Sequence, residues 1–80
     1  MSDAEKQDKK AKNLARARQS LIEELEAINW YEERVQASND KDLKRILTHN
    51  RDEEKEHAVM LIEYLRKEDK IFDKKFEEHD

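Results

Sequence analysis

The sequence contains no glycine, no proline and no cysteine. Without the first two it lacks the residues that shape β-bulges, tight hairpins and phosphate-cradling loops. Without the third it has neither disulfides nor thiolate zinc ligands to staple a small fold, and it fits a reducing, cytosolic compartment. No apolar run approaches the roughly 18 residues of a membrane span, and the N-terminus lacks the apolar core of a signal peptide, so no membrane is expected. An excess of one charge is missing too. Seventeen basic and 21 acidic residues leave a net charge of −4 with the signs interspersed, which argues against a nucleic-acid binder. What remains is 48% charged and 35% hydrophobic, dominated by Glu, Lys, Arg, Leu and Ala, so an all-α chain is expected. At 80 residues a single core rarely supplies more than about 3–5 kcal/mol. Oligomerisation or a bound metal is expected to carry the difference.

Residues 1–13 (MSDAEKQDKKAKN) have little to bury and read as a flexible charged N-terminal segment, with the domain proper over 14–80. From Leu14 an apolar stripe at spacings of three and four runs through Ala17, Leu21, Ile28 and Val35, widened by Ile22 and Leu25. This predicts a first helix ending near Ala37-Ser38-Asn39-Asp40. Asn39 is the expected N-cap of the next helix, with Asp42 favourably placed near its positive end. A second stripe of Leu43, Leu47, Leu61 and Tyr64, flanked by Ile46, Met60 and Leu65, predicts a helix from about 40 to 67. So short a connection makes the two helices antiparallel. The pattern breaks around Lys67-Glu68-Asp69, and Ile71, Phe72 and Phe76 suggest a short third helix.

Polar residues interrupt both stripes. At strict heptad spacing the first reads Leu14, Ala17, Leu21, Glu24, Ile28, Tyr31, Val35, and the second Leu43, Leu47, Asn50, Glu54, His57, Leu61, Tyr64. A carboxylate on such a seam is costly unless it is paired or binds a metal. Folding the chain back about Asn39 sets Glu24 level with Glu54, because each lies equally far from the turn. Glu54 and His57, at i and i+3, can reach one ion. A lone Glu facing a Glu-x-x-His is half of the di-metal carboxylate site of ferritin-like bundles, which needs two of each. A symmetric dimer is therefore expected to build the site across its interface. Two copies of Glu24 and Glu54 supply four negative charges, enough for two divalent ions, and without metal they repel. Carboxylate and imidazole suit iron or manganese, with zinc as a substitute. The phenol of Tyr31, one heptad from Glu24, suits a ferric ion and lies nearer the turn than Glu54, where a partner chain would present it; as an aromatic it also fits a core or interface position. Glu23, Glu26 and Trp30 share an adjacent face, which reads either as ordinary acidic surface or as a secondary cation site.

Two segments, EELEAINWYEERVQAS (residues 23–38) and LTHNRDEEKEHAVMLIEYLR (residues 47–66), resemble those of the encapsulated ferritins, short ferritin-like proteins housed in encapsulin nanocompartments. The likeness covers most of residues 14–76. It implies a two-helix hairpin with a short third helix, dimerising into a ferritin-like four-helix bundle, with dimers assembled in a ring, a decamer. It also implies a ferroxidase site at the positions of Glu24, Tyr31, Glu54 and His57, and an outer metal-attracting site at Glu23, Glu26 and Trp30. The implied activity is oxidation of Fe(II) to Fe(III) by dioxygen at a di-iron centre, with the iron stored within the encapsulin shell in a bacterial or archaeal cytoplasm. The family's Gly- and Leu-containing shell-docking peptide has no counterpart in Phe76-Glu77-Glu78-His79-Asp80. The competing reading is a non-catalytic helical oligomerisation module whose Glu-His cluster is a structural metal clamp, served equally by zinc or calcium.

Overall fold

In a computed structural model, which describes residues 2–79, the chain forms three helices: α1 (Asp3–Ala37), α2 (Lys41–Glu68) and α3 (Lys70–Glu78). With no glycine or proline inside them, nothing breaks the backbone ladder, and the ends are set by short polar side chains. The Ser2 hydroxyl accepts from the Glu5 N–H at 3.2 Å and starts α1, while Asp3 and Glu5 complement the helix dipole. At the other end the Ser38 N–H closes on the Arg34 carbonyl and the backbone turns extended.

The expected flexible segment 1–13 is helical from Asp3 onward, although residues 2–13 are all exposed as their composition requires. The Ser2 cap, together with pairs such as Lys12–Asp8 at 3.0 Å, carries the helix back beyond Leu14 without burial. Met1 and Asp80, the outer limits of the two expected segments, lie outside the described residues.

The turn is as short as the pattern predicted, but its cap is Asp40 rather than Asn39. The Asp40 carboxylate accepts from the Leu43 N–H at 3.0 Å, and the Asp40 N–H donates to the Ser38 hydroxyl at 3.2 Å. An ionised carboxylate at a helix N-terminus is a stronger acceptor than an amide and also meets the dipole. Asp69 serves two helices at once. Its N–H donates to the Leu65 carbonyl to end α2, and its carboxylate accepts from the Ile71 and Phe72 N–H groups to begin α3.

Helix α1 packs along α2, and α3 packs back on α2. The α3 contact is anchored by Arg66, whose Nε lies 2.6 Å from Asp73 Oδ1 and whose guanidinium covers the Phe76 ring at 4.8 Å. The molecule measures 56 × 31 × 13 Å with a radius of gyration of 16.9 Å, against about 12 Å for a compact chain of this length. It is one helix thick, whereas domains normally need two packed layers to bury a core. Only Ala17, Ala58 and Leu65 are buried among the described residues, and Ile22, Leu25, Val59, Met60, Tyr64 and Ile71 stand exposed. The interior holds two alanines and Leu65, and many large apolar side chains are exposed or only partly covered.

Candidate metal centre

Antiparallel packing brings Glu24 of α1 against Glu54 and His57 of α2. Their ligand atoms lie within 4.8 Å of one another. His57 Nδ1 is 3.6 Å from Glu24 Oε2 and 3.6 Å from Glu54 Oε2. These distances are too long for hydrogen bonds but close to the separation of two donors each about 2.1 Å from one ion. Both carboxylates are half-buried, at 25% and 22% exposure, while the imidazole is 49% exposed. Glu24 Oε2 is a buried acceptor that no protein donor reaches. Such an oxygen costs about 1–3 kcal/mol of desolvation, which a cation would offset. Two carboxylates and an imidazole nitrogen converging on one point fit a hard or borderline divalent ion.

A groove of about 420 Å³ opens from the triad between the helices, lined by Ser20, Glu24, His57, Met60, Leu61 and Tyr64. Its apolar walls are the exposed face of the hairpin. The other four residues singled out from sequence fall together elsewhere. Glu23, Glu26, Trp30 and Tyr31, with Ala27, line a separate groove of about 390 Å³ on α1. There the Trp30 and Tyr31 rings meet edge to face, with centroids 4.8 Å apart. Within one chain Tyr31 is therefore not part of the convergent triad: it sits two helical turns along α1 from Glu24, toward the turn.

Sequence reasoning missed the polar groups that surround these sites. Gln19 Nε2 donates to Glu23 Oε2 at 3.2 Å, and the Arg34 guanidinium stacks on Trp30 at 3.2 Å from the ring centroid. Both are i, i+4 neighbours, a spacing legible in the sequence. The third is an ion pair across the hairpin, Arg51 Nη1 to Glu32 Oε2 at 2.7 Å. The hydrogen bonds from Arg51 and then Gln36 hold the Glu32 carboxyl below the usual carboxylate range, and the Glu32 contact raises Arg51 in turn.

A helical hairpin that sets a lone glutamate against a Glu-x-x-His on its neighbour is an arrangement of the ferritin-like class. The chain belongs to the EncFtn-like family, which it matches over residues 1–79. It is 60% identical over 57 residues to an encapsulated ferritin-like protein of Rhodospirillum rubrum, covering 71% of this chain and 41% of that one. A ferritin-like protein of Thermotoga maritima is 52% identical over 58 residues, 72% of this chain and 51% of its own. The encapsulin nanocompartment cargo protein EncC of Myxococcus xanthus is 44% identical over 57 residues, 70% of this chain and 44% of its own. The chain thus spans about half the length of the curated relatives it matches. The crystal structure of protein ne0167 from Nitrosomonas europaea superposes with a TM-score of 0.81 at 50% identity, covering 98% of this chain and 79% of that one. The all-α fold expected from the helix pattern, and the ferritin-like class implied by the resemblance, agree with that neighbour. Among the described residues no helix is long and apolar enough to cross a membrane.

Proposed function

We propose that the protein is a ferroxidase, oxidising Fe(II) to Fe(III) with dioxygen at a site made of Glu24, Glu54 and His57 from each of two chains. The observation that carries this reading is the convergence of those three side chains around the buried, donorless Glu24 Oε2. One chain supplies a single lone Glu and a single Glu-x-x-His, so a second copy is required to complete a dinuclear set. The one-layer hairpin and its exposed apolar groove residues Met60 and Tyr64 support such a dimer, because they give the partner a surface to cover.

In this reading Fe(II) is the substrate. The paired carboxylates hold two irons close enough for two electrons to pass to one dioxygen, and their four negative charges favour the ferric products. Tyr31 reaches the completed site from the partner chain, and Glu23, Glu26 and Trp30 gather cations at the outer groove. Manganese, zinc and calcium act as redox-inert or slower substitutes. The names of two relatives, an encapsulated ferritin-like protein and an encapsulin nanocompartment cargo protein, support a setting with an encapsulin shell in the cytoplasm; in this reading dimers assemble into a ring, a decamer, and the oxidised iron is stored within that shell.

The test is the initial rate of aerobic Fe(II) oxidation by fully assembled protein, with a Glu54→Ala/His57→Ala variant beside it in the same buffer. The ferroxidase reading predicts a rate well above both the buffer and the variant. A wild-type rate no faster than buffer would favour the structural metal clamp.

A further inference from the structure

The groups that make a metal site here sit on two different helices, so their spacing depends on how far α1 is slid along α2. Apolar periodicity alone discriminates poorly between registers. Leucine and isoleucine stripes recurring every three or four residues meet again after a slip of one turn, about 5.4 Å. A slip of that size would take Glu24 out of reach of His57, from which it is now 3.6 Å away. Repulsion between the Glu24 and Glu54 carboxylates favours such a displacement before any cation binds.

The short turn opposes it at one end of the hairpin, and one polar contact opposes it along the seam. Arg51 lies one turn before Glu54 on α2, and Glu32 lies two turns beyond Glu24 on α1. Their 2.7 Å bond crosses the hairpin, with the Arg51 side chain only 20% exposed. Both partners are fixed from their own helices as well. Gln36 Nε2 donates to the second Glu32 oxygen at 3.0 Å, and Arg51 Nε donates to Asp52 Oδ1 at 3.1 Å. Every strong group in this network has a counterpart, unlike the triad a few residues away. A charge-assisted bond of this kind has one geometric solution, so it discriminates between registers where apolar packing does not.

We infer that the Glu32–Arg51 pair is a register pin, and that both are positioning residues holding Glu24 level with Glu54 and His57. The consequence for metal rests on the proposed reading of the triad, whereas the consequence for register does not.

The chain has no native cysteine, so Arg18→Cys and Glu63→Cys, at exposed positions on α1 and α2, give clean nitroxide labels on full-length chains diluted into unlabelled protein. Two measurements are made on the assembled protein: the inter-label distance by pulsed electron paramagnetic resonance, and Zn²⁺ affinity by calorimetry for the binding step that Glu54→Ala removes. Arg51→Met keeps the aliphatic stem and deletes the charge; Glu32→Gln is the milder variant and decides the matter where Arg51→Met fails to fold. Both are expected to shift or broaden the distance by about 5 Å and to lower zinc affinity at least tenfold with helicity intact. Arg51→Lys recovers part of both. An unchanged distance overturns the pin, whatever the affinity does, and a shifted distance with wild-type affinity overturns the positioning role. If wild-type protein binds no zinc at that step, the metal reading fails and the distance alone decides the register claim.

Discussion

Two polar clusters interrupt the apolar seam between α1 and α2, and they are built on opposite plans. At Glu32 and Arg51 each carboxylate oxygen meets a donor and each charge has a counter-charge. At Glu24, Glu54 and His57 two carboxylates and an imidazole face each other, and one buried oxygen has no donor. The balanced cluster is complete within one chain. In the proposed reading the unbalanced one is completed by a cation, and a second chain covers the exposed apolar groove of the hairpin. The contrast separates a group that holds the structure from a group that the structure holds ready.

The largest effect expected from breaking the unbalanced cluster is on activity. Glu54→Ala/His57→Ala should reduce aerobic Fe(II) oxidation to the buffer rate, with far-UV circular dichroism showing the helices retained. Next comes stability of opposite sign in the two metal states. Glu24→Met should raise metal-free stability by about 1 kcal/mol, seen as a higher thermal midpoint, because it removes a desolvated oxygen with no donor. The same change should abolish the added stability that wild type gains from metal, measured at fixed chain concentration.

The balanced cluster has its own pH signature. Because the Glu32 carboxyl is held below its ordinary value by Arg51 and Gln36, its contribution is fully present above the usual carboxylate range. It is lost as pH falls through the lowered value. The stability difference between wild type and Glu32→Gln, followed by denaturation of metal-free protein, should therefore be constant near neutrality and shrink only in acid.

The smallest effect tests the turn. Asp40→Ala should cost about 1 kcal/mol by removing the α2 cap, while Asn39→Ala should change stability by much less. Equal losses in denaturant midpoint would contradict the assignment of the cap to Asp40.

These differences also mark what could be seen in advance. The three helices, the short turn and the breaks near Ala37 and Glu68 follow from apolar spacing alone. So does the meeting of Glu24 with Glu54 and His57, since equal distance from the turn is a matter of helical rise. The start of α1 was not legible, because residues 3–13 bury nothing and are helical through local propensity, capping and i, i+4 pairs, which leave no periodic stripe. The Glu32–Arg51 contact was hidden for another reason. Its residues lie off the strict heptad positions and at unequal distances from the turn, so neither apolar spacing nor helical rise pairs them. Tyr31 was legible as a residue on the seam, but one chain alone places it with Trp30 in the outer groove. In the proposed dimer Tyr31 would instead be presented to the partner chain's triad.

The central claim is that the triad is half of a site which a second chain and metal complete together. Sedimentation velocity of the purified protein under anaerobic conditions, with and without Fe(II) and with Glu54→Ala in parallel, tests it most directly. The account predicts that Fe(II) shifts wild type toward the dimer and larger assemblies and leaves Glu54→Ala unmoved. Identical sedimentation of wild type in both conditions would contradict it.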